Sequence, residues 1–138
     1  VTRPCLVVPP WFGKATADAV TAYFTGDGLA PAATLQTRLE PRWQATPPDR
    51  LYAEGMHLTQ RADLLRDQIA GECPDDADGV LIVGTGVRCV GIIAELEAAL
   101  ARPVITANQA SLWRLLRLTG VPAAPTGYGA LFSRPLPG

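Results

Sequence analysis

The stretch Gly79–Asn108, GVLIVGTGVRCVGIIAELEAALARPVITAN, decides the fold. Val80–Val83 is a short, apolar, mostly β-branched run with Asp75, Asp76 and Asp78 ahead of it and Gly84-Thr85-Gly86 behind, which reads as a strand buried on both faces. From Arg88, apolar residues recur at three- and four-residue spacing through Ile92, Ile93, Leu96 and Leu100, the period of an amphipathic helix. A second strand, Val104–Ala107, follows Pro103. Strand, helix and strand make one right-handed βαβ unit, and in open parallel sheets ligands bind where strand C-termini meet helix N-termini. The loop Gly84–Arg88 is therefore the candidate site.

Working outward, Cys5–Val8 reads as a first parallel strand that Pro9-Pro10 ends, because proline donates no ladder hydrogen bond. Thr16 or Asp18 is placed to cap a helix running to about Phe24, with Ala19, Val20, Tyr23 and Phe24 on one side and Gly26-Asp27-Gly28 as its stop. Ala32–Leu39 alternates polar and apolar residues and reads as a weaker strand. Glu40–Pro48 reads as a loop. Pro48-Asp49 opens a long helix to about Ala70, striped by Leu51, Leu58, Ala62, Leu65 and Ile69. Beyond the central unit, Ala110–Leu118 is a helix stopped by Gly120 and Pro122, and 123–138 is a Pro- and Gly-rich tail expected to be ordered only where it docks. Four strand runs alternating with helices predict an α/β chain: a single flavodoxin-like lobe, residues 1–138, with a four-stranded parallel sheet and helices on both faces.

Composition narrows the function classes. With 48% hydrophobic residues and 18% charged ones, 138 residues suffice for one domain with a real core. Twelve basic and 13 acidic residues leave a formal charge of -1 with no long run of either sign, so nothing recommends a nucleic acid or a membrane surface as partner. The three cysteines, Cys5, Cys73 and Cys89, have neither metal-pair spacing nor the density of a disulfide scaffold, which favours a reduced, cytoplasmic setting. No apolar run reaches the roughly 20 residues of a membrane span. The chain opens VTRPCLVVPP, without a signal-peptide layout or an initiator Met, which suggests a trimmed chain or a fragment.

Several residues have both a chemical and a structural reading. Gly84-Thr85-Gly86 before a helix would offer free N–H groups and a positive dipole end to a carboxylate or phosphate; it also fits a plain strand-to-helix turn. Cys89, early in that helix, is placed for a lowered thiol pKa, and equally for a small core residue between Val87, Val90 and Ile92. Asn108 and Gln109 open the last helix at the same sheet edge, where Asn is favoured as a cap. Arg42 and Arg50 flank the Glu40–Pro48 loop and suit a dicarboxylate clamp or a solvated surface. His57, the single histidine, is expected away from the strand C-termini, which leaves no triad to assemble.

The segment LIVGTGVRCVGIIAELEAALARPVITANQASLWRLLRLTG resembles the carboxy-terminal signature of the aspartate/glutamate racemase superfamily, in the branch that holds maleate cis-trans isomerase and arylmalonate decarboxylase. In that branch a strand ends in Ser-Cys, a helix leads to a Gly-x-Pro-Val strand, and Ser-Asn-Gln-Ala-x-x-Trp opens the next helix. Here the matching residues are Val83-Gly84-Thr85-Gly86, Arg102-Pro103-Val104 and Ala107-Asn108-Gln109-Ala110-Ser111-Leu112-Trp113, with Gly127–Phe132 similar to the decarboxylase tail. The resemblance implies isomerisation, racemisation or decarboxylation of a small carboxylic acid without a cofactor or a metal. It also implies two lobes, of which this chain is equivalent to the second, so a homo-oligomer or a partner lobe is expected. Residue by residue, the second-lobe cysteine falls on Gly84, and Trp11 stands where relatives commonly have a substrate-binding tyrosine. That leaves Cys89 as the candidate catalytic thiol, with Trp11, Gly84, Thr85, Gly86, Arg88 and Asn108 as candidate substrate contacts. The alternative is a catalytically degenerate lobe that binds a carboxylate without turning it over.

Overall fold

The computed structural model describes residues 1–122 and 125–136. Of the expected docking tail, residues 123, 124, 137 and 138 lie outside the described residues. Strands β1 (Pro4–Val8), β2 (Ala33–Gln36), β3 (Gly79–Ile82) and β4 (Val104–Thr106) form one parallel sheet in the order β2-β1-β3-β4. Helices α1 (Lys14–Gly26), α2 (Pro48–Leu51), α3 (Met56–Thr59), α4 (Ala62–Glu72), α5 (Ile93–Leu100) and α6 (Ala107–Leu118) complete the α/β lobe predicted from the sequence.

The two central strands read as predicted because both of their faces are covered. Every residue of β1 is buried, and its Cys5 pairs in register with Ala33 on one side and Val80 on the other. Cys5, Val7, Val80, Ile82 and Val104 join Leu65 and Ile69 of α4 and Ile93 and Leu96 of α5 in one apolar core. Each of these side chains stabilises the fold by roughly 1.5–3 kcal/mol through the apolar surface it removes from water. Asp78 fastens the entry to β1 by accepting hydrogen bonds from the Thr2 and Arg3 backbone N–H groups at 2.6 and 2.9 Å. Ordered this way, β1, β3 and β4 present their C-terminal loops side by side.

The helix boundaries depart from expectation in four places. Neither Thr16 nor Asp18 caps α1: Gly13 is the N-cap, without a side-chain bond, and Asp18 pairs with Lys14 one turn earlier. The expected 48–70 helix is three pieces. Gly55 at φ 86° turns the chain between α2 and α3, and Gln60 at ψ 128° separates α3 from α4. In α2 and α3 Leu51 and Met56 are therefore the buried residues, and Leu58 is 65% exposed. The helix expected from Arg88 begins at Ile93 after a 3-10 turn at Val90–Ile92, because Val87 and Ile92 leave the helical path to fill the core. Finally, α6 starts at Ala107, with Thr106 as N-cap in a capping box with Gln109. Asn108 is thus not the cap.

The tail seats on the chain's own lobe. Ala130 N–H donates to the Glu97 carboxylate at 2.9 Å, the Gln109 amide donates to the Tyr128 carbonyl, Trp113 Nε1 donates to Arg134 O at 2.9 Å, and Phe132 is 3% exposed.

Candidate functional site

The loop after β3 meets the loop after β1 at the C-terminal edge of the sheet. Gly84 adopts φ 95°, a conformation that disfavours any side chain, and a Cβ built there would lie 3.2 Å from Pro9 Cγ. Gly86 is a close approach of another kind. A Cβ on it would stand 2.7 Å from Tyr52 Cε2 and 3.3 Å from Trp11 Cζ2, so only glycine lets the loop pass beneath these rings. Trp11 meets Tyr52 edge-on with centroids 5.4 Å apart, and His57 stacks on Tyr52 at 4.0 Å. His57 therefore belongs to the C-terminal edge after all, carried back by the turn at Gly55, and its Nδ1 is buried without a partner among the described residues.

Thr85 and Asn108 join this loop to α6, because the Asn108 amide donates to Thr85 O at 2.9 Å. One step along, Arg88 N–H donates to Gln60 Oε1 at 3.2 Å and its guanidinium to the Leu58 carbonyl. Both partners are uncharged, and no carboxylate pairs with Arg88 among the described residues. Its positive charge is uncompensated. Arg42 and Arg50 differ: the first reaches Glu40 at 3.5 Å and Thr59 O at 3.2 Å, the second reaches Glu54 at 2.8 Å, and both are solvated, so the dicarboxylate clamp is not formed.

Arg88, Cys89 and Asn108 line a cleft of about 530 Å³. Its walls are apolar (Val87, Val90, Ile93, Leu112, Tyr128 and Phe132), and Thr106 and Gln109 supply polar edges. The structure thus divides the predicted site. Gly86 lies under the rings of Trp11 and Tyr52, with Gly84 beside it against Pro9; Arg88, Cys89 and Asn108 lie in the neighbouring cleft, with Thr85 bound to Asn108 between the two. Sequence reasoning missed Tyr52 and the position of His57, and only the glycine at 55 signalled the turn that returns them.

Cys89 is not poised as a nucleophile. It is 5% exposed, its thiol donates to Val87 O at 3.5 Å, and burial pushes it up from 9.0 to about 11. The helix end expected to lower its pKa begins only at Ile93. The neutral thiol therefore contributes stability that is fully present below pH 9 and falls away as pH rises toward 11. At pH 7.5, iodoacetamide should modify the partly exposed Cys73 well before Cys89 in the folded chain. Rapid alkylation of Cys89, mapped by mass spectrometry, would contradict this.

Among the described residues no helix is long and apolar enough to cross a membrane, and no group of three or more His, Cys, Asp or Glu is placed to hold a metal ion.

The arylmalonate decarboxylase family model matches residues 54–132, more than half of the chain. Arylmalonate decarboxylase from Bordetella bronchiseptica is 39% identical over 64 residues, which cover 46% of this chain and 27% of that protein. Maleate isomerase from Pseudomonas putida S16, solved with maleate, superposes with a TM-score of 0.76 at 22% identity, over 95% of this chain and 48% of its own. A glycine-to-cysteine variant of arylmalonate decarboxylase in a sulfate-associated form gives 0.72 at 22% identity, over 94% and 52%. Maleate cis-trans isomerase from Nocardia farcinica, solved with a covalently bound succinylcysteine intermediate, gives 0.62 at 16% identity, over 94% and 48%. At these identities the likeness to solved structures is one of fold. The chain spans about half the length of the solved relatives it matches.

Proposed function

The chain belongs to the arylmalonate decarboxylase family, and from that premise we propose that it is a lobe that binds a small mono- or dicarboxylic acid, of the aryl malonate or maleate kind, at Thr85–Arg88 and Asn108. The observation that carries this reading is Arg88, whose guanidinium is held by a carbonyl, faces no carboxylate, and lies on the rim of an apolar cleft. A carboxylate would pair with that charge while an aryl or alkyl group filled the cleft.

Cofactor-independent decarboxylation or isomerisation of such an acid needs a group that gives or takes a proton at the α-carbon. A cysteine would serve, and the Nocardia farcinica relative carries a covalent intermediate on one. By the family resemblance the second-lobe cysteine falls on Gly84, and the nearby thiol of Cys89 is buried and neutral. We therefore favour the second of the two readings, in which binding is retained and turnover by the isolated chain is negligible. Titrating the chain calorimetrically with phenylmalonate and maleate should give weak, saturable binding that Arg88→Ala weakens by about tenfold, the worth of one charge-assisted contact. The same preparation, assayed for carbon dioxide release, maleate isomerisation and aspartate racemisation, should match the uncatalysed controls. Robust turnover abolished by Cys89→Ala would establish the enzyme reading instead.

A partner is part of the same reading. At the sheet edge Trp11 and Phe12 are half-buried, and in the tail Phe132 is fully covered while Tyr128 is 46% exposed. A contiguous run of uncovered apolar residues lies on and just after α6, where Leu112, Leu115, Leu118 and Val121 are 41–61% exposed. We place the docking face for a second lobe, from another copy or another chain, on this stripe. In sedimentation the isolated chain should self-associate, and Leu115→Glu with Leu118→Glu should return it to a monomer.

A further inference from the structure

A second cleft, of about 570 Å³, lies between the Thr37–Pro41 segment and helices α3 and α4. Three of the five buried polar residues of the described chain, Thr37, Gln60 and Gln68 at 5, 8 and 9% exposure, are gathered in its lining. Gln68 is fully engaged: it accepts from Arg38 N at 2.9 Å and donates to Gln36 O and Glu72 at 3.1 Å. The cations of the lining are engaged as well, Arg38 with Glu72 and Arg61 with Asp63.

The open valences are oxygens. The Thr37 hydroxyl and Glu40 Oε1 are buried with no hydrogen-bond partner among the described residues; Glu40 pairs with Arg42 through its other oxygen at 3.5 Å and faces the Arg61 charge, which Asp63 already engages. A buried acceptor left unpaired is unfavourable, and two beside one cleft indicate a missing hydrogen-bond donor. Leu39, Pro41, Met56, Leu64 and Leu65 form the rest of the wall and would take a hydrocarbon chain. We infer that this cleft is a second ligand site, for a primary ammonium compound with an apolar substituent: the ammonium donates to Glu40 and Thr37, and the substituent lies along Leu39, Met56 and Leu64.

The site is independent of the carboxylate reading, so the probe can be chosen to separate the two. Methyl and amide resonances of the chain would be followed by NMR during titration with n-butylammonium, n-butanol and butyrate, which share a hydrocarbon and differ in charge and donors. Saturable shifts at Thr37, Glu40, Met56 and Leu64 are expected with n-butylammonium alone. Glu40→Gln should weaken them by about tenfold or more, as loss of a charge-assisted bond requires. Thr37→Val should weaken them too while raising the thermal midpoint of the empty protein, since it replaces an unpaired buried hydroxyl by a methyl group of the same shape. Equal binding of n-butanol or butyrate, indifference to Glu40→Gln, or no saturation at all would overturn the assignment.

Discussion

Gly129→Ala is expected to cost about 3 kcal/mol or more and to unseat the tail. Gly129 adopts φ 86° and ψ 168°, a region that L residues rarely enter, and forcing a side chain there costs on the order of 1–3 kcal/mol. Its Cβ would also lie 2.6 Å from Cγ2 of Ile93, 3.0 Å from the Gln109 amide nitrogen and 3.1 Å from Glu97 Oε1. Ile93 is wholly buried and has nowhere to retreat, and Gln109 and Glu97 are the groups that hold the Tyr128 carbonyl and the Ala130 N–H. One methyl group therefore adds backbone strain, overpacks the core and breaks the tail's own hydrogen bonds. Urea unfolding should show a lower midpoint, and hydrogen exchange should show the Ala130 amide opening first. An unchanged midpoint with normal Ala130 protection would mean that the tail is held by Trp113 and Arg117 alone.

That contact also shows why the sequence was readable in some places and silent in others. Val80–Val83 and Cys5–Val8 declared themselves because a strand covered on both faces needs an unbroken apolar run, and little else in a short segment does. The tail gave no period because its order comes from single hydrogen bonds to Glu97, Gln109 and Trp113, contacts across the fold that leave no local pattern. Around the candidate site the sequence singled out residues that the structure brings near one another, the loop Gly84–Cys89 and Asn108 of α6. It missed those supplied by a broken helix. Leu58, at the right spacing for a stripe, is exposed while Met56 is buried, so the long-helix reading pointed His57 away from the sheet edge where it lies. The helix start at Arg88 failed for a related reason: Val87, Cys89 and Ile92 are apolar because they enter the core from an irregular segment, which mimics a helical stripe over one turn.

Gly84→Cys is the substitution that separates binding from turnover, and it should change both stability and chemistry. At φ 95°, with Pro9 Cγ 3.2 Å from the new Cβ, the cysteine should destabilise the chain by about 2 kcal/mol. Gly84→Ala carries the same strain without a thiol and is the control. When a bound malonate loses carbon dioxide, negative charge develops on the remaining carboxyl group and the α-carbon must accept a proton. The Arg88 charge would hold the first, and a thiol at position 84 would supply the second. General-acid assistance is worth roughly 100- to 10,000-fold. Phenylmalonate decarboxylation should therefore rise by at least about 100-fold in Gly84→Cys relative to Gly84→Ala, provided both are assayed below their unfolding midpoints and with a second lobe supplied to close the site. Affinity for phenylmalonate should be similar in the two variants, because neither change touches Arg88 or Asn108. If the cysteine variant is no faster than the alanine variant while binding equally well, proton delivery from this position is not what the chain lacks.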